Sequence, residues 1–263
     1  MDYYIFNIRL NLFNSHNEVY CEILKRIEDN KNTVYITVNN SHTIVYAKRC
    51  KEFSKILNKS FLSLTDGQPL VVAGRILDNT RYQRIFGPSL MEYMLKKGAE
   101  DKLKHFIFGG STEVLEQCKQ NIQNLYPGTK IAGMISPPYT DGGFLKNDNY
   151  IQIINDSNAD IIWVALGAPK QEKWMYDNYK KLNKGVLIGI GAGIDYVAGN
   201  IKHAPKWMKK MALEWLYRLM QEPGRLWKRY FIYNSLFIYY LILEILKKKI
   251  FNKFKPEIYS NIT

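Results

Sequence analysis

Short apolar runs alternate with amphipathic stretches along most of the chain. The runs are rich in β-branched and aliphatic residues and occur at positions 33–38, 61–64, 104–108, 130–134, 160–166 and 185–190. Runs of this kind are typical of strands buried on both faces of a parallel sheet. The stretches at 41–57, 111–125 and 169–182 have helical character, with Ser111 as a predicted N-cap. This alternation predicts an α/β fold with a mostly parallel sheet, right-handed crossovers and flanking helices.

The pattern changes after Pro205, where two long helical stretches are separated by Pro223 and Gly224. The second stretch runs from about 225 to 249, and its residues 230–246 carry a single charge, Glu244. This apolar segment is slightly shorter than the roughly 18 residues that indicate a membrane span. Its many tyrosines and the lysines at both ends favour an amphipathic helix at the membrane interface. We therefore predict a core domain at 1–203 and a helical, basic, membrane-associating appendage at 204–263.

The positive charge of the chain is concentrated in this appendage. The whole chain of 263 residues has a formal net charge of +13, and residues 201–263 hold thirteen Lys and Arg against four Glu, a net charge of +9. Basicity concentrated at one end indicates nucleic acid, anionic lipid or a phosphorylated ligand as a partner.

Cysteine usage and the N-terminal segment both predict a cytoplasmic protein. Cys21, Cys50 and Cys118 are isolated and odd in number, which argues against a disulfide framework. The first residues lack the basic region and the small-residue cleavage site of a signal peptide.

The sequence also lacks the usual signatures of metal and nucleophile chemistry. The cysteines form no CxxC motif with the four histidines, so no zinc site is predicted. No DxD motif follows a predicted strand, and the spacing of His and Cys indicates no nucleophile paired with a base. We therefore expect neither a metal nor another cofactor.

Polar residues at the ends of two predicted strands are candidates for chemistry. Asp66 follows the run at 61–64, and Thr37 and Asn39 lie at the end of the run at 33–38. In open α/β sheets ligands bind at the carboxyl ends of strands, which favours a functional role. The Asp66–Gly67 pair is equally typical of an ordinary turn, so spacing alone leaves both interpretations open.

Two further segments have the character of an anion-binding site. Arg84 is suited to bidentate binding of a phosphate, although Arg81 or Arg84 in a surface ion pair with Asp78 is an equally simple interpretation. Gly109 and Gly110 precede a predicted helix and suit a phosphate-binding turn, but they form no complete glycine-rich motif.

A sharper pattern follows the last two predicted strands of the core. Gln171 and Glu172 stand in the first turn of a helix that leaves the strand at 160–166. Asp195 follows three glycines that permit a ligand to approach the backbone closely. Glu172 is also explained by the helix dipole, and Asp195 by an ordinary loop.

Together these segments resemble the WecG/TagA/CpsF family of glycosyltransferases over about residues 33–230. The shared motifs are Thr65-Asp66-Gly67-x-Pro69, Arg84-Ile-Phe-Gly87, Phe108-Gly109-Gly110, Leu166-Gly167-x-Pro169-x-Gln171-Glu172-x-Trp174 and Gly191-x-Gly193-x-Asp195-x-x-x-Gly199. The most specific part is the ending, with Ala204-Pro205-x-Trp207, Leu213-Glu214-Trp215-Leu-Tyr217-Arg218-Leu219 and Glu222-Pro223-x-Arg225.

The resemblance implies a Rossmann-like core with a C-terminal appendage that approaches the membrane. It implies inverting, metal-independent transfer of a sugar, most often N-acetylmannosamine, from a UDP-sugar to a polyprenyl-diphosphate-linked sugar such as undecaprenyl-diphosphate N-acetylglucosamine. Such a protein serves the synthesis of teichoic acid, capsule or another surface polysaccharide. We expect it at the cytoplasmic face of the membrane as a peripheral protein, with an anionic membrane surface and no nucleic acid among its partners. A homo-oligomer remains an open alternative to a monomer.

The resemblance also implies a role for each matching residue. Asp66 is the expected general base and is grouped with Thr37 as catalytic. The expected donor-binding residues are Asn39, Arg84, Gly109, Gly110, Gln171, Glu172 and Asp195, with Arg84 and Gln171 near the diphosphate and Asp195 near the uracil. The residues expected to hold the lipid diphosphate are Arg218, Arg225, Lys228 and Arg229.

The chain departs from the family pattern close to the expected donor site. Asn40 and Ser41 stand where the family often has Pro or Ala followed by Glu, and Ser89 stands where Asp is common. A glucosyl- or uronosyl-transferase of the same fold is therefore the first alternative. A non-catalytic nucleic-acid-binding module is a distant one, because the segment 230–246 is too apolar to face a phosphate backbone.

Overall fold

The computed structural model describes residues 2–29, 32–79, 82–138, 148–211 and 213–260. The strands within these residues are β1 (Asp2–Ile5), β2 (Ile8–Asn11), β3 (Val34–Asn39), β4 (Leu62–Thr65), β5 (Lys104–Gly109), β6 (Lys130–Ile135), β7 (Ile161–Ala165) and β8 (Val186–Gly189). Each strand expected from the apolar runs is present, with ends that differ by at most one residue.

Helices precede, connect and follow these strands. Those in the described residues are α1 (His16–Glu28), α2 (Ser41–Arg49), α3 (Lys51–Lys59), α4 (Gln68–Asp78), α5 (Gly87–Glu100), α6 (Thr112–Leu125), α7 (Asp148–Ser157), α8 (Lys170–Asn178), α9 (Gly193–Val197), α10 (Lys206–Lys210), α11 (Glu214–Gln221) and α12 (Pro223–Ser260). The expected N-cap is confirmed, because the Ser111 hydroxyl accepts a hydrogen bond from the Val114 N–H at the start of α6.

Six strands form one parallel sheet in the order β4-β3-β8-β7-β5-β6. Two apolar clusters cover its two faces, which explains why the central strands are apolar along their whole length. The carboxyl ends of β4, β3, β8 and β7 lie side by side at one edge of the sheet. The predicted α/β fold with flanking helices is confirmed.

The helix expected over 41–57 is wrong in one respect, because it consists of two helices. Cys50 has an extended backbone (φ −126°, ψ 105°) between α2 and α3. At roughly 100° per residue, a straight helix would place Ile44 of α2 about 180° from Phe53 of α3, whereas Val45 and Ile56 would share a face. All four side chains are buried, and the break at Cys50 lets both helices turn an apolar face to the core.

The helix expected from 169 to 182 is shorter than the pattern indicates. Helix α8 ends at Asn178 and is followed by a 3-10 turn at Tyr179–Lys181. This turn brings the Tyr179 ring to 5.1 Å from the ring of Tyr35 on β3.

A short antiparallel hairpin precedes the core, and the apolar pattern does not predict it. Strands β1 and β2 are joined by Phe6 and Asn7, which both have positive φ values, 53° and 66°. A two-residue turn of this kind matches the twist of a hairpin. Phe6 is buried, and its ring lies 5.6 Å from the ring of Phe237 on α12.

Helix α12 has an inner face that packs on the core and an outer face that is apolar and exposed. Leu226, Phe237 and Leu241 are buried, whereas Phe231 and Ile238 are 74% and 57% exposed. Residues 223–248 are long and apolar enough to cross a membrane, with only 6% of the apolar window buried. The appendage packs closely on the core through α12 and α2, and its boundary at residue 204 stays a prediction.

Candidate active site

A cavity of about 490 Å³ lies where the carboxyl ends of β3, β4, β7 and β8 meet. The loops after these strands form its floor, through Asn40, Asp66, Gly167 and the segment 189–193. Helices α11 and α12 form its roof, so the core and the appendage enclose it together. A cavity at this edge of an open α/β sheet is in the usual place for a ligand site.

Asp66 is held at the end of β4 by the neighbouring strand. Its backbone N–H donates to the Asn39 carbonyl at 2.7 Å, and the Gly67 N–H donates to the same oxygen at 3.2 Å. The Asn39 side chain donates to Thr37 Oγ1 at 3.0 Å and to Ser63 Oγ at 2.9 Å. Asn39 and Thr37 are fully buried beneath the cavity and support Asp66 from below without lining the cavity.

Arg84 links Asp66 to the appendage. Its Nε lies 3.4 Å from Asp66 Oδ1, and its other end donates from NH1 to Glu214 Oε2 of α11 at 2.7 Å. The guanidinium also lies over the Phe86 ring, 4.4 Å from its centroid. Arg84 is therefore paired inside the cavity, and both Arg81 and the Asp78 side chain lie outside what the structure describes.

The charges around Asp66 act in opposite directions on its proton affinity. Burial raises the pKa of Asp66 above its usual range, and the Glu214 carboxylate adds to the rise. Arg84 and Arg218 oppose this shift of the pKa. The Asp66 side chain still keeps 21% of its surface open to the cavity, so it can reach the hydroxyl of a bound ligand. A carboxylate in this setting is suited to accept a proton.

Three cations of the appendage line the same cavity. Arg218, Arg225 and Arg229 all contribute to its wall. Glu222 holds the first two by ion pairs of 2.8 Å to Arg218 and 2.7 Å to Arg225. Burial lowers the pKa of Arg229, and the two other arginines add to that effect. The wall thus concentrates positive charge that an anionic ligand would compensate.

The segments that form this cavity all lie within a region that matches one protein family. The model of the glycosyl transferase WecG/TagA/CpsF family matches residues 3–250, nearly the whole chain. The chain belongs to the WecG/TagA/CpsF family of glycosyl transferases.

Two relatives of this chain are named for the same activity. The chain is similar to the N-acetylglucosaminyldiphosphoundecaprenol N-acetyl-beta-D-mannosaminyltransferases of Bacillus subtilis (strain 168), with 37% identity, and of Staphylococcus aureus (strain MW2), with 30% identity. The first match covers 61% of this chain and the second 69%. The matched part of the chain spans 60% of the length of the Bacillus protein and 68% of the Staphylococcus protein.

The family motif at the start of α8 contributes one lining residue and one buried acid. Gln171 lines the cavity, and its amide is fixed at both ends: Nε2 donates to Glu172 Oε1 at 2.8 Å, and Oε1 accepts from the Gly191 N–H at 2.9 Å. Glu172 is fully buried, and its Oε2 has no hydrogen-bond partner among the described residues. Glu172 therefore orients Gln171 and does not line the cavity itself.

The structure places four other predicted site residues away from the lining. Gly109 approaches the Ala165 carbonyl of β7, and Gly110 packs against Ile194, so both serve close packing at the end of β5. Asp195, on α9, is near enough to Arg225 for that cation to affect its pKa. Lys228 is exposed over the Trp227 ring. A direct role of these residues in ligand binding stays a prediction.

The cavity also contains residues to which the sequence assigned no role. Glu214 belongs to the most specific motif, but the motif does not predict its pairing with Arg84. His42 and Tyr233 contact each other across the cavity wall, with ring centroids 4.2 Å apart. Burial lowers the pKa of His42 to about 4, with a further contribution from Arg229, so this imidazole is neutral at physiological pH. In the sequence, the signal for His42 is its position near the start of the predicted helix at 41–57.

We predict that Glu172→Gln removes a pH-dependent cost to folding. Burial raises the pKa of Glu172 from its usual value of 4.5 to about 7, so ionisation destabilises the fold as the pH rises through this interval. The difference in free energy of unfolding between the variant and wild type should therefore shift by about 2 kcal/mol in favour of the variant when the pH is raised from 5 to 8. Urea unfolding at both pH values measures this gain. Glu116→Gln, on the exposed face of α6, is the matched control, and an equal response of both variants would contradict the prediction.

Proposed function

We propose that this chain is an inverting, metal-independent glycosyltransferase. It transfers N-acetylmannosamine from a UDP-sugar to a polyprenyl-diphosphate-linked sugar such as undecaprenyl-diphosphate N-acetylglucosamine, in the synthesis of teichoic acid or another surface polysaccharide. The relatives are named for this acceptor and this transferred sugar. UDP as the carrier follows from the family resemblance.

The observation that carries the proposal is the meeting of a base and a cation cluster in one cavity. Asp66 comes from the carboxyl end of a core strand, whereas Arg218, Arg225 and Arg229 come from the appendage, and all four line the cavity. Transfer between a nucleotide diphosphate and a lipid diphosphate needs a proton acceptor beside several positive charges. The cavity supplies both.

The chemistry divides between the carboxylate and the cations. Asp66 takes the proton of the acceptor hydroxyl while that oxygen attacks the anomeric carbon from the side opposite to UDP. The bond between the anomeric carbon and the diphosphate oxygen breaks, and its electron pair leaves with UDP, which inverts the anomeric configuration. Arg84 and the arginines of the roof stabilise the negative charge of the leaving diphosphate and of the lipid diphosphate.

We predict that Asp66→Asn lowers turnover at least about 100-fold, because the amide cannot accept the hydroxyl proton. UDP binding, measured by calorimetry, should stay close to the wild-type value. Asp177→Asn, an exposed change on α8, is the control for the substitution itself. Near-normal turnover of Asp66→Asn would remove Asp66 from the role of base.

The identity of the donor sugar has one competing candidate. Asn40 and Ser41, which depart from the family pattern, both line the cavity, and Asn40 also caps α2. A changed floor at this point favours a glucosyl- or uronosyl-transferase as the second candidate. Incubation with UDP-N-acetylmannosamine, its uronate and UDP-glucose, followed by product mass, separates the two candidates, and preferred transfer of glucose or the uronate would overturn the first.

The same appendage suggests where the protein works. The outer face of α12 is apolar, and the cavity it roofs would receive a substrate whose lipid tail remains in the bilayer. We infer a peripheral position on the cytoplasmic face of the membrane, with α12 lying along an anionic surface. An apolar outer face is unsuited to a nucleic-acid phosphate backbone.

We predict that the double change Phe231→Ser and Ile238→Ser weakens binding to anionic vesicles at least about tenfold, because both exposed side chains would enter the lipid. Vesicle sedimentation measures the bound fraction. Leu125→Ser with Ile153→Ser, two exposed apolar residues of the core, is the matched control. Equal sedimentation of the two double variants would contradict a membrane role for α12.

A further inference from the structure

Glu214 is an acidic residue of the appendage that lies in the cavity wall beside the expected base. It is the first residue of α11, is only 7% exposed, and holds Arg84 by its Oε2 at 2.7 Å. Its Oε1 is buried without a hydrogen-bond partner among the described residues. Glu214 belongs to the most specific sequence motif, but neither that motif nor the names of the relatives give this residue a role.

Stability of the fold is a poor explanation for such a carboxylate. Removing a charged group from water costs several kcal/mol, and an ion pair compensates this fully only when its remaining oxygens are also hydrogen-bonded. Glu214 has one oxygen without a hydrogen-bond partner in the described part of the chain, and it adds negative charge close to Asp66, whose pKa it raises. This arrangement costs stability locally, which indicates that it serves the site.

The consequence of the contact is a fixed orientation of Arg84. The guanidinium is planar, so the hydrogen bond at NH1 sets the direction of Nε, which faces Asp66 at 3.4 Å. The Phe86 ring supports one face of the same group. With Glu214 in place, Arg84 is shared between two carboxylates and holds Asp66 loosely, which leaves Asp66 oxygen atoms available to a hydroxyl.

We propose that Glu214 is a positioning residue for the transfer step: it draws Arg84 partly away from Asp66, so that Asp66 is a competent base only while α11 is seated over the cavity. The inference rests on the proposed function of Asp66. The core and the appendage each contribute one carboxylate to Arg84, and the position of the appendage sets how strongly Arg84 holds Asp66.

The charged groups that face Asp66 allow the effect of Glu214 on pH dependence to be derived. They are Arg84 from the loop before α5, and Glu214 and Arg218 from α11, with Tyr196 and Tyr230 as further titratable neighbours. The two arginines lower the pKa of Asp66, and Glu214 raises it. Without the Glu214 charge, Arg84 pairs with Asp66 alone, and the pKa of Asp66 falls. Asp66 then becomes a weaker base that stays ionised at lower pH.

The test is the pH profile of kcat for Glu214→Gln in the full chain, with a short-chain polyprenyl-diphosphate N-acetylglucosamine and the UDP-sugar that the wild type uses. We expect kcat at the plateau to fall about tenfold. We expect the acid limb to move to lower pH by roughly half a unit or more. Glu100→Gln, an exposed change on α5, is the control and should keep both the plateau and the acid limb of the wild type.

Two results would overturn the positioning role. One is a wild-type plateau in Glu214→Gln, which would mean that Arg84 needs no second carboxylate. The other is a reduced plateau with an unmoved acid limb, because a merely structural defect lowers kcat without changing the charge around Asp66.

A second measurement does not depend on transferase activity. Hydrogen exchange of residues 214–221 should be faster in Glu214→Ala than in wild type, because the contact that seats α11 on Arg84 is lost. Unchanged exchange would overturn the seating part of the proposal. A wild type that transfers no sugar would instead count against the proposed function and leave the exchange result interpretable.

Discussion

A single guanidinium group, that of Arg84, is paired with one carboxylate from the sheet and one from the helical roof. Burying three charges together is tolerable only when all of them are close enough to compensate each other. The loop before α5, the end of β4 and the start of α11 must therefore converge within hydrogen-bond distance of one point. The cavity, its roof and the openness of Asp66 all depend on this convergence.

The sequence predicts the sheet well because its strands are buried on both faces and are apolar throughout. It predicts the break at Cys50 poorly, since α2 and α3 read as one continuous helical pattern and only the three-dimensional core distinguishes their apolar faces. The hairpin β1–β2 was missed because each strand has four residues and its turn contains Phe6 in place of a glycine. Local patterns identify elements, and packing decides how they are divided.

The candidate site could be predicted to the level of segments but not to the level of side-chain direction. Motifs place Asp66, Arg84, Gln171, Lys228 and the three arginines of the appendage in the site, and all of these residues except Lys228 line the cavity. Thr37 and Asn39 are buried beneath it, because polar residues at the end of a doubly covered strand point into the protein as readily as outward. Asn39 contributes through its backbone carbonyl, which holds the Asp66 N–H. A backbone contact of this kind does not depend on the residue type, so the sequence gives no signal of it.

The contact between Phe6 in the hairpin turn and Phe237 in α12 joins two positions that are far apart along the chain. Contacts of such long sequence separation are slow to form, because closing a long loop costs chain entropy. During synthesis on the ribosome, the sheet can assemble while α12 is still to be translated. The cavity therefore acquires its α12 wall only after α12 has been translated. A nascent chain that ends before α12 lacks this complete site for a lipid-linked precursor.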